Sequence, residues 1–182
     1  MEVHEQVFSW ILKRLKKQGL LLGKTLGLDS TMLEANAAMR SIVRRDTMLG
    51  YTEFLEELAK ESGIEAPTRE ALAKLDKQRS KKASNQDWVH PHDPDARIAN
   101  MKDGTTHMAH KLEHTLDLDT GAIVSTTVQT TDGGDCASMP VTLDAAEAQL
   151  AAVEISAKEV VADKGYHSND TLTKLKERNV RS

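Results

Sequence analysis

One segment constrains the fold of this chain more than any other, because it predicts an antiparallel hairpin. Residues 105–119 alternate, so that successive side chains point to opposite faces of a strand. One face carries Met108, His110, Leu112, His114, Leu116 and Leu118, and the other carries Lys111, Glu113 and Asp117. The turn signal Asp-Thr-Gly at 119–121 and a run rich in β-branched residues over 122–130 complete the predicted hairpin.

A helix predicted over residues 142–153 separates this hairpin from the next strand, which ends at Asp163. An earlier predicted strand, in the stretch TLGLDST at 25–31, contains a second aspartate, Asp29. A helical crossover allows the Asp163 strand to run parallel to the Asp29 strand. The sequence therefore predicts an α/β fold with a mixed sheet. If the two strands are neighbours, both carboxylates emerge at the sheet edge where α/β folds bind their ligands.

Helices are predicted at two further places. Residues 3–18 form an amphipathic pattern that ends at Gly19 and whose basic face we expect to be solvated. Its apolar positions, at four-residue steps, are Val3, Val7, Ile11 and Leu15. Between the Asp29 strand and the hairpin, two more helical patterns and a polar stretch predict a helical insertion at about 52–82. Thr68 is the expected cap of the second helix.

Composition excludes several classes of protein. The 182 residues carry evenly mixed charges with a net charge of −4, so DNA binding would require a local basic patch. Cys136 is the only cysteine, which excludes an internal disulfide and a thiolate zinc cage. No apolar run approaches the roughly 18 residues that span a bilayer, and the amino terminus does not resemble a signal peptide. These features predict a soluble, cytoplasmic protein without a membrane partner.

Two carboxylates at neighbouring strand ends predict a cation site. They repel each other when close, and a divalent cation relieves that repulsion. Mg²⁺ prefers oxygen ligands and is commonly held by one or two carboxylates together with substrate phosphates. A pair of such ions about 3.5–4 Å apart activates the attacking oxygen and stabilises the leaving oxygen of a phosphodiester. The alternative is that Asp29 and Asp163 are unrelated acids that cap turns.

Three stretches in this order resemble insertion-sequence transposases of the DDE class, which have a ribonuclease H-like fold. They are LGLDSTMLEANAAMRSIVRRD, HPHDPDARIANMKDG and VVADKGYHSNDTL, and the resemblance extends over residues 24–182. It implies that Asp29 and Asp163 are the first and second catalytic, metal-binding acids, and that Mg²⁺ or Mn²⁺ is the cofactor. It also implies DNA cleavage and strand transfer, with insertion-sequence ends and target DNA as partners, in the bacterial cytoplasm near the nucleoid.

The resemblance also implies parts that we do not find in this sequence. Relatives carry a third acid, a glutamate on a later helix, whereas Glu177 lies too early in the chain and in the wrong element. We therefore expect residues 24–182 to be a partial catalytic domain that is incomplete at its carboxyl end and inactive by itself. Residues 1–23 are then the remnant of a DNA-binding region. An uncovered sheet edge would favour self-association into a homo-oligomer.

Basic residues near the two acids are the candidate DNA contacts. Arg40, Arg44 and Arg45 follow Asp29, and Lys164 and His167 follow Asp163. Arginine and lysine side chains near a phosphate backbone bind in a salt-sensitive way. For His167, capping of the following helix is an equal alternative. A second basic cluster, formed by Lys77, Arg79, Lys81 and Lys82, is interpreted equally well as solvated surface.

Two other functions stay open at this stage. The chain could be a non-catalytic DNA-binding or self-association module, or a metal-dependent nuclease that uses two carboxylates. A zinc site made by His107, His110 and His114 would need a helix, but on the predicted strand His107 faces away from the other two.

Overall fold

The structure is a computed structural model that describes residues 2–79 and 83–182. The helices are α1 (Glu2–Lys17), α2 (Tyr51–Glu61), α3 (Arg69–Gln78), α4 (Asp135–Ala151) and α5 (Asn169–Glu177). The strands are β1 (Thr25–Glu34), β2 (Val43–Arg44), β3 (Trp88–Val89), β4 (Arg97–Asn100), β5 (Thr106–Asp117), β6 (Ile123–Thr130) and β7 (Glu159–Ala162). Short 3₁₀ helices lie at Met39–Ser41 and Lys164–Tyr166. Among the described residues, no helix is long and apolar enough to cross a membrane.

The chain divides into two compact units. Unit 1 comprises residues 1–31, 111–129 and 133–182, and unit 2 comprises residues 32–110 and 130–132. Helices α2 and α3 belong to unit 2 and follow β1 in the sequence. The residues that end the predicted insertion, 80–82, include Lys81 and Lys82 of the second basic cluster and lie outside the described residues.

The sheet of unit 1 has the strand order β6, β5, β1, β7. A short turn joins β5 to β6, where the N–H of Asp117 donates to the carbonyl of Ala122, and this is the predicted hairpin. Helix α4 then carries the chain across to β7, which pairs in parallel with β1. The predicted α/β fold with a mixed sheet is confirmed.

Apolar side chains from β1, β7 and three helices form the core of unit 1. Leu26 and Leu28 alternate along β1 and are buried, as the sequence pattern predicts. Helix α4 covers them with a stripe at helical spacing, which consists of Leu143, Ala146 and Leu150.

Helix α1 buries a different face from the one that the sequence predicts. Leu12 is fully buried, and Phe8 and Leu15 pack beside it. Val3, Val7 and Ile11 are exposed, so the inward stripe is displaced from the predicted one. The contacts of the helix explain this orientation, because Ser9 Oγ donates to Gln149 Oε1 and Lys16 Nζ donates to the Val153 carbonyl.

Strand β5 alternates as predicted, but its polar face is the more deeply buried one. Over the part of β5 in unit 1, Lys111, Glu113, Thr115 and Asp117 are buried, whereas Leu112, His114 and Leu116 are half-buried. Buried charges are stable only when they are paired or hydrogen-bonded. Each of these polar side chains must therefore have partners in unit 1.

Asp117 finds its partners in the chain that leads into β1. Its Oδ2 accepts hydrogen bonds from the N–H groups of Leu22 at 2.6 Å and Gly23 at 2.9 Å, and from Thr120 Oγ1. Burial raises the pKa of the Asp117 carboxyl, but the two N–H groups outweigh this effect and hold the pKa below its usual value. The ionised carboxylate thus ties the start of β1 to the end of β5.

Replacing Asp117 with asparagine is expected to cost about 1.5–3 kcal/mol at neutral pH, because the charge-assisted hydrogen bonds are lost. Since folding lowers the pKa of Asp117, its stabilisation is present above the unfolded pKa of about 3.9 and is lost as the pH falls through the folded pKa. The difference between variant and wild type should therefore shrink in acid. Urea unfolding at pH 7 and near pH 3 measures it. The exposed neighbour Asp119, replaced in the same way, is the control, and an equal loss in both variants would contradict this role.

Unit 2 has its own small cores. Trp88 is buried on β3 against the rings of Tyr51 and Phe54, at centroid distances of 5.0 and 5.4 Å. Helices α2 and α3 pack on each other through Leu55, Ala59 and Leu72. The Thr68 side chain accepts from the N–H of Ala71, as predicted for the cap of α3. Trp88 is therefore a packing residue of this unit.

The outer edge of β7 carries the last residues of the sequence. The N–H of Val160 donates to the carbonyl of Arg181 at 2.7 Å, and Glu159 pairs with Arg181 in parallel. An apolar groove is lined by Ala162, Leu172 and Leu175, and Asp163 and Ser182 also border it. Self-association of the chain stays a prediction.

Candidate functional site

The two acids identified from the sequence lie on neighbouring strands, but only one of them is at a strand end. Asp163 directly follows β7, whereas Asp29 lies within β1, which continues to Glu34 and is longer than the sequence predicts. The register of the parallel pair runs from Thr25 opposite Glu159 to Leu28 opposite Ala162. Asp29 and Asp163 are the next residues on each side. The predicted parallel pairing of the two strands is therefore confirmed, and an ion shared by the two carboxylates stays a prediction.

Each of these carboxylates is fixed by a local backbone hydrogen bond and is also exposed to solvent. Asp29 Oδ1 accepts from the N–H of Ser30 at 2.8 Å. Asp163 caps the 3₁₀ helix Lys164–Tyr166, and its Oδ1 accepts from the N–H of Gly165 at 2.6 Å. Asp163 therefore caps a turn, as the alternative interpretation predicts. Its side chain is also exposed, so it is accessible to a cation.

A third acid, which the sequence reasoning missed, lies beside Asp163. Asp135 is the first residue of α4. A Cβ atom added to Gly165 would lie 2.7 Å from Asp135 Oδ2 and 2.9 Å from Asp163 Oδ1, so both carboxylates border the same glycine. The sequence signal was the triplet Gly-Gly-Asp at 133–135, where Gly134 caps α4. The helix begins seven residues earlier than predicted and contains Pro140 near its start.

The ammonium group of Lys111 lies beneath this acidic edge. Its Nζ is 2.5 Å from Asp135 Oδ1, 2.9 Å from Glu113 Oε1 and 2.7 Å from Ser138 Oγ. Burial lowers the pKa of Lys111, but hydrogen bonds to Asp135 and Glu113 outweigh it and the net direction is upward. A fixed positive charge therefore offsets part of the repulsion between Asp135 and Asp163.

Glu113 is the most extensively hydrogen-bonded side chain of this network. It accepts from Lys111, from the hydroxyls of Ser138 and Tyr166 on Oε1, and from Thr142 Oγ1 and Gln129 Nε2 on Oε2. Burial raises the pKa of Glu113, yet these donors hold it below its usual value. Burial raises the pKa of Tyr166, so its hydroxyl stays protonated and donates at neutral pH.

The predicted DNA-contacting residues lie in both units. In unit 1, Lys164 and His167 are exposed in the turn that follows Asp163. In unit 2, Arg40 and Arg45 are exposed. Arg44 is held by an ion pair with Asp46 at 2.5 Å and lies over the rings of Phe54 and Trp88. Its internal contacts account for its position, and DNA contact by all five residues stays a prediction.

The donor chemistry of the strand ends suits a hard divalent cation, because Asp29 and Asp163 supply carboxylate oxygens. Within the described ranges, no group of three or more histidine, cysteine, aspartate or glutamate side chains is arranged to hold a metal ion. Metal binding by Asp29 and Asp163 stays a prediction.

Comparison with known proteins identifies the family. The family model described as "Transposase DDE domain" matches residues 50–181, a range that includes Asp163 and begins after Asp29. No curated protein and no solved structure matches the chain. Since the match extends over more than half of the sequence and agrees with the mixed α/β sheet, the chain belongs to the transposase DDE domain family.

Proposed function

We propose that this protein cleaves and joins DNA strands at the ends of an insertion sequence, and that Asp29 and Asp163 hold the Mg²⁺ or Mn²⁺ ion for this reaction. The observation that carries the proposal is the parallel pairing of β1 with β7, whose register ends at Leu28 and Ala162. This pairing places Asp29 and Asp163 at neighbouring positions, which supports their assignment as the first and second acids of the DDE pattern. Membership of the transposase family supports DNA as the substrate.

In this role the metal supplies charge stabilisation for the attacking and leaving oxygens of a phosphodiester. The exposed side chains of Lys164 and His167 would bind the phosphate backbone of DNA near Asp163. Arg40 and Arg45 would contribute salt-sensitive contacts from unit 2. With two carboxylate ligands among the described residues, we expect weak binding of the ion.

Replacing Asp163 with asparagine tests the proposal. Asparagine keeps an oxygen for the N–H of Gly165, so the turn should persist while the ligand charge is lost. We expect Asp163-dependent Mn²⁺ binding, measured by electron paramagnetic resonance titration of the full chain. Strand cleavage is measured on a supercoiled plasmid that carries the gene with its natural flanking sequence. The matched control is Asp170→Asn, which removes an exposed acid from α5.

The possible outcomes separate the functions. Cleavage of both a plasmid with and a plasmid without the flanking sequence, lost in Asp163→Asn, would indicate a nuclease. DNA binding without any metal-dependent step would indicate a non-catalytic module. Mn²⁺ binding that is equal in wild type and Asp163→Asn would exclude Asp163 as a ligand.

A further inference from the structure

The hydroxyl of Tyr166 links the turn that follows Asp163 to a buried carboxylate on β5. Tyr166 is almost fully buried, and its hydroxyl donates to Glu113 Oε1 at 3.2 Å. Glu113 lies on β5, so this hydrogen bond ties the turn that follows β7 to the strand on the other side of β1.

Tyr166 is also tied to Asp163. Its N–H donates to the carbonyl of Asp163 at 3.2 Å, within the short 3₁₀ helix that Asp163 caps. The N–H of Gly165 holds the Asp163 carboxylate at 2.6 Å in the same turn. Any displacement of the Tyr166 ring would therefore move the turn that orients this carboxylate.

Glu113 is a fixed anchor for the Tyr166 hydroxyl. Its remaining donors come from β5, β6 and α4, namely Lys111, Gln129, Ser138 and Thr142. With this many donors, Glu113 cannot rotate without breaking several hydrogen bonds. The position of the Tyr166 hydroxyl is thus set by the core of unit 1.

We propose that Tyr166 is a positioning residue, whose hydroxyl on Glu113 fixes the turn that orients the Asp163 carboxylate for a divalent cation. This inference rests on the proposed function. Outer groups that orient metal ligands typically contribute 10–100-fold in metal affinity. Ligands that are held in place before the ion arrives also lose less conformational freedom on binding.

Tyr166→Phe removes the hydroxyl and keeps the buried ring. Glu113 retains its other donors, so the urea midpoint should stay close to that of the wild type. We expect the Mn²⁺ dissociation constant of the full chain, measured by electron paramagnetic resonance titration, to rise about tenfold.

A matched control is Tyr51→Phe in unit 2, where the Tyr51 hydroxyl donates to Asp76 at 2.7 Å. It removes the same kind of hydrogen bond and should leave Mn²⁺ affinity unchanged. If the wild type binds Mn²⁺ through Asp163 but Tyr166→Phe binds it equally well, the positioning role is wrong while the proposed function stands. If the wild type shows no Asp163-dependent binding, both are overturned.

Discussion

Replacing Glu113 with leucine should lower the free energy of unfolding by about 3–5 kcal/mol, because it breaks a buried ion pair and leaves one charge behind. The side chains of Glu113 and Lys111 are 0% and 2% exposed. After the substitution, Lys111 keeps only Asp135 and Ser138 as acceptors, and the hydroxyls of Thr142 and Tyr166 lose theirs. Since domains of this kind are stable by only about 5–15 kcal/mol, urea unfolding should show a large fall in the midpoint.

A double-mutant cycle separates the pair from the rest of the network. We expect the double variant Lys111→Met/Glu113→Leu to lose less stability than the sum of the two single variants. Each single change leaves one buried charge without its partner in this pair, whereas the double variant removes both charges. The exposed ion pair between Lys174 and Asp170, at 2.7 Å on α5, provides the control. Lys174→Met should change stability by less than about 1 kcal/mol. A Glu113→Leu variant as stable as Lys174→Met would show that the buried network does not hold unit 1 together.

The sequence predicts the position of Asp29 and Asp163 because local patterns and connection rules suffice for it. Each acid lies at an apolar strand, and the helix between β6 and β7 makes the parallel pairing of β1 with β7 the expected arrangement. Neither step depends on which distant side chains meet in the core. The edge that carries both acids is thus derived from periodicity and topology alone.

The network below that edge could not be predicted in this way. Alternation along β5 separates Lys111 and Glu113 from Leu112, but an apolar pattern by itself favours burial of the leucine face. The charged face is buried because α4 supplies Asp135, Ser138 and Thr142 from more than 20 residues away in sequence. The helical apolar pattern begins only at about residue 142, whereas α4 begins at Asp135, so the pattern does not reveal Asp135 as a residue of this helix.

The buried face of helix α1 also differs from the predicted one, because it depends on tertiary contacts. Its sequence supports two apolar stripes, one through Val7 and Ile11 and one through Phe8 and Leu12, and periodicity does not decide between them. The second stripe is buried because it meets the core formed around Leu150. Which face of an amphipathic helix turns inward is decided by its tertiary partner.

Replacing Gly165 with alanine is expected to weaken Mn²⁺ binding by about 10–100-fold with little change in the fold. The new Cβ would lie 2.7 Å from Asp135 Oδ2 and 2.9 Å from Asp163 Oδ1, closer than either oxygen tolerates. Asp135 is held by Lys111 at 2.5 Å, so the exposed carboxylate of Asp163 is the one that must turn away. The backbone of Gly165 does not have a positive φ, and alanine is therefore not strained there by itself.

The matched control for this substitution is Gly133→Ala. Gly133 lies two residues before Asp135, has no atom within 4 Å of an added Cβ and does not have a positive φ. We expect Gly133→Ala to bind Mn²⁺ as the wild type does and to be equally or slightly more stable, since alanine restricts the unfolded chain. Titration of both variants with Mn²⁺, beside the wild type and Asp163→Asn, measures the difference. Unchanged affinity in Gly165→Ala, together with lost affinity in Asp163→Asn, would mean that Asp163 binds the ion from another rotamer and that its contact with Gly165 does not orient it.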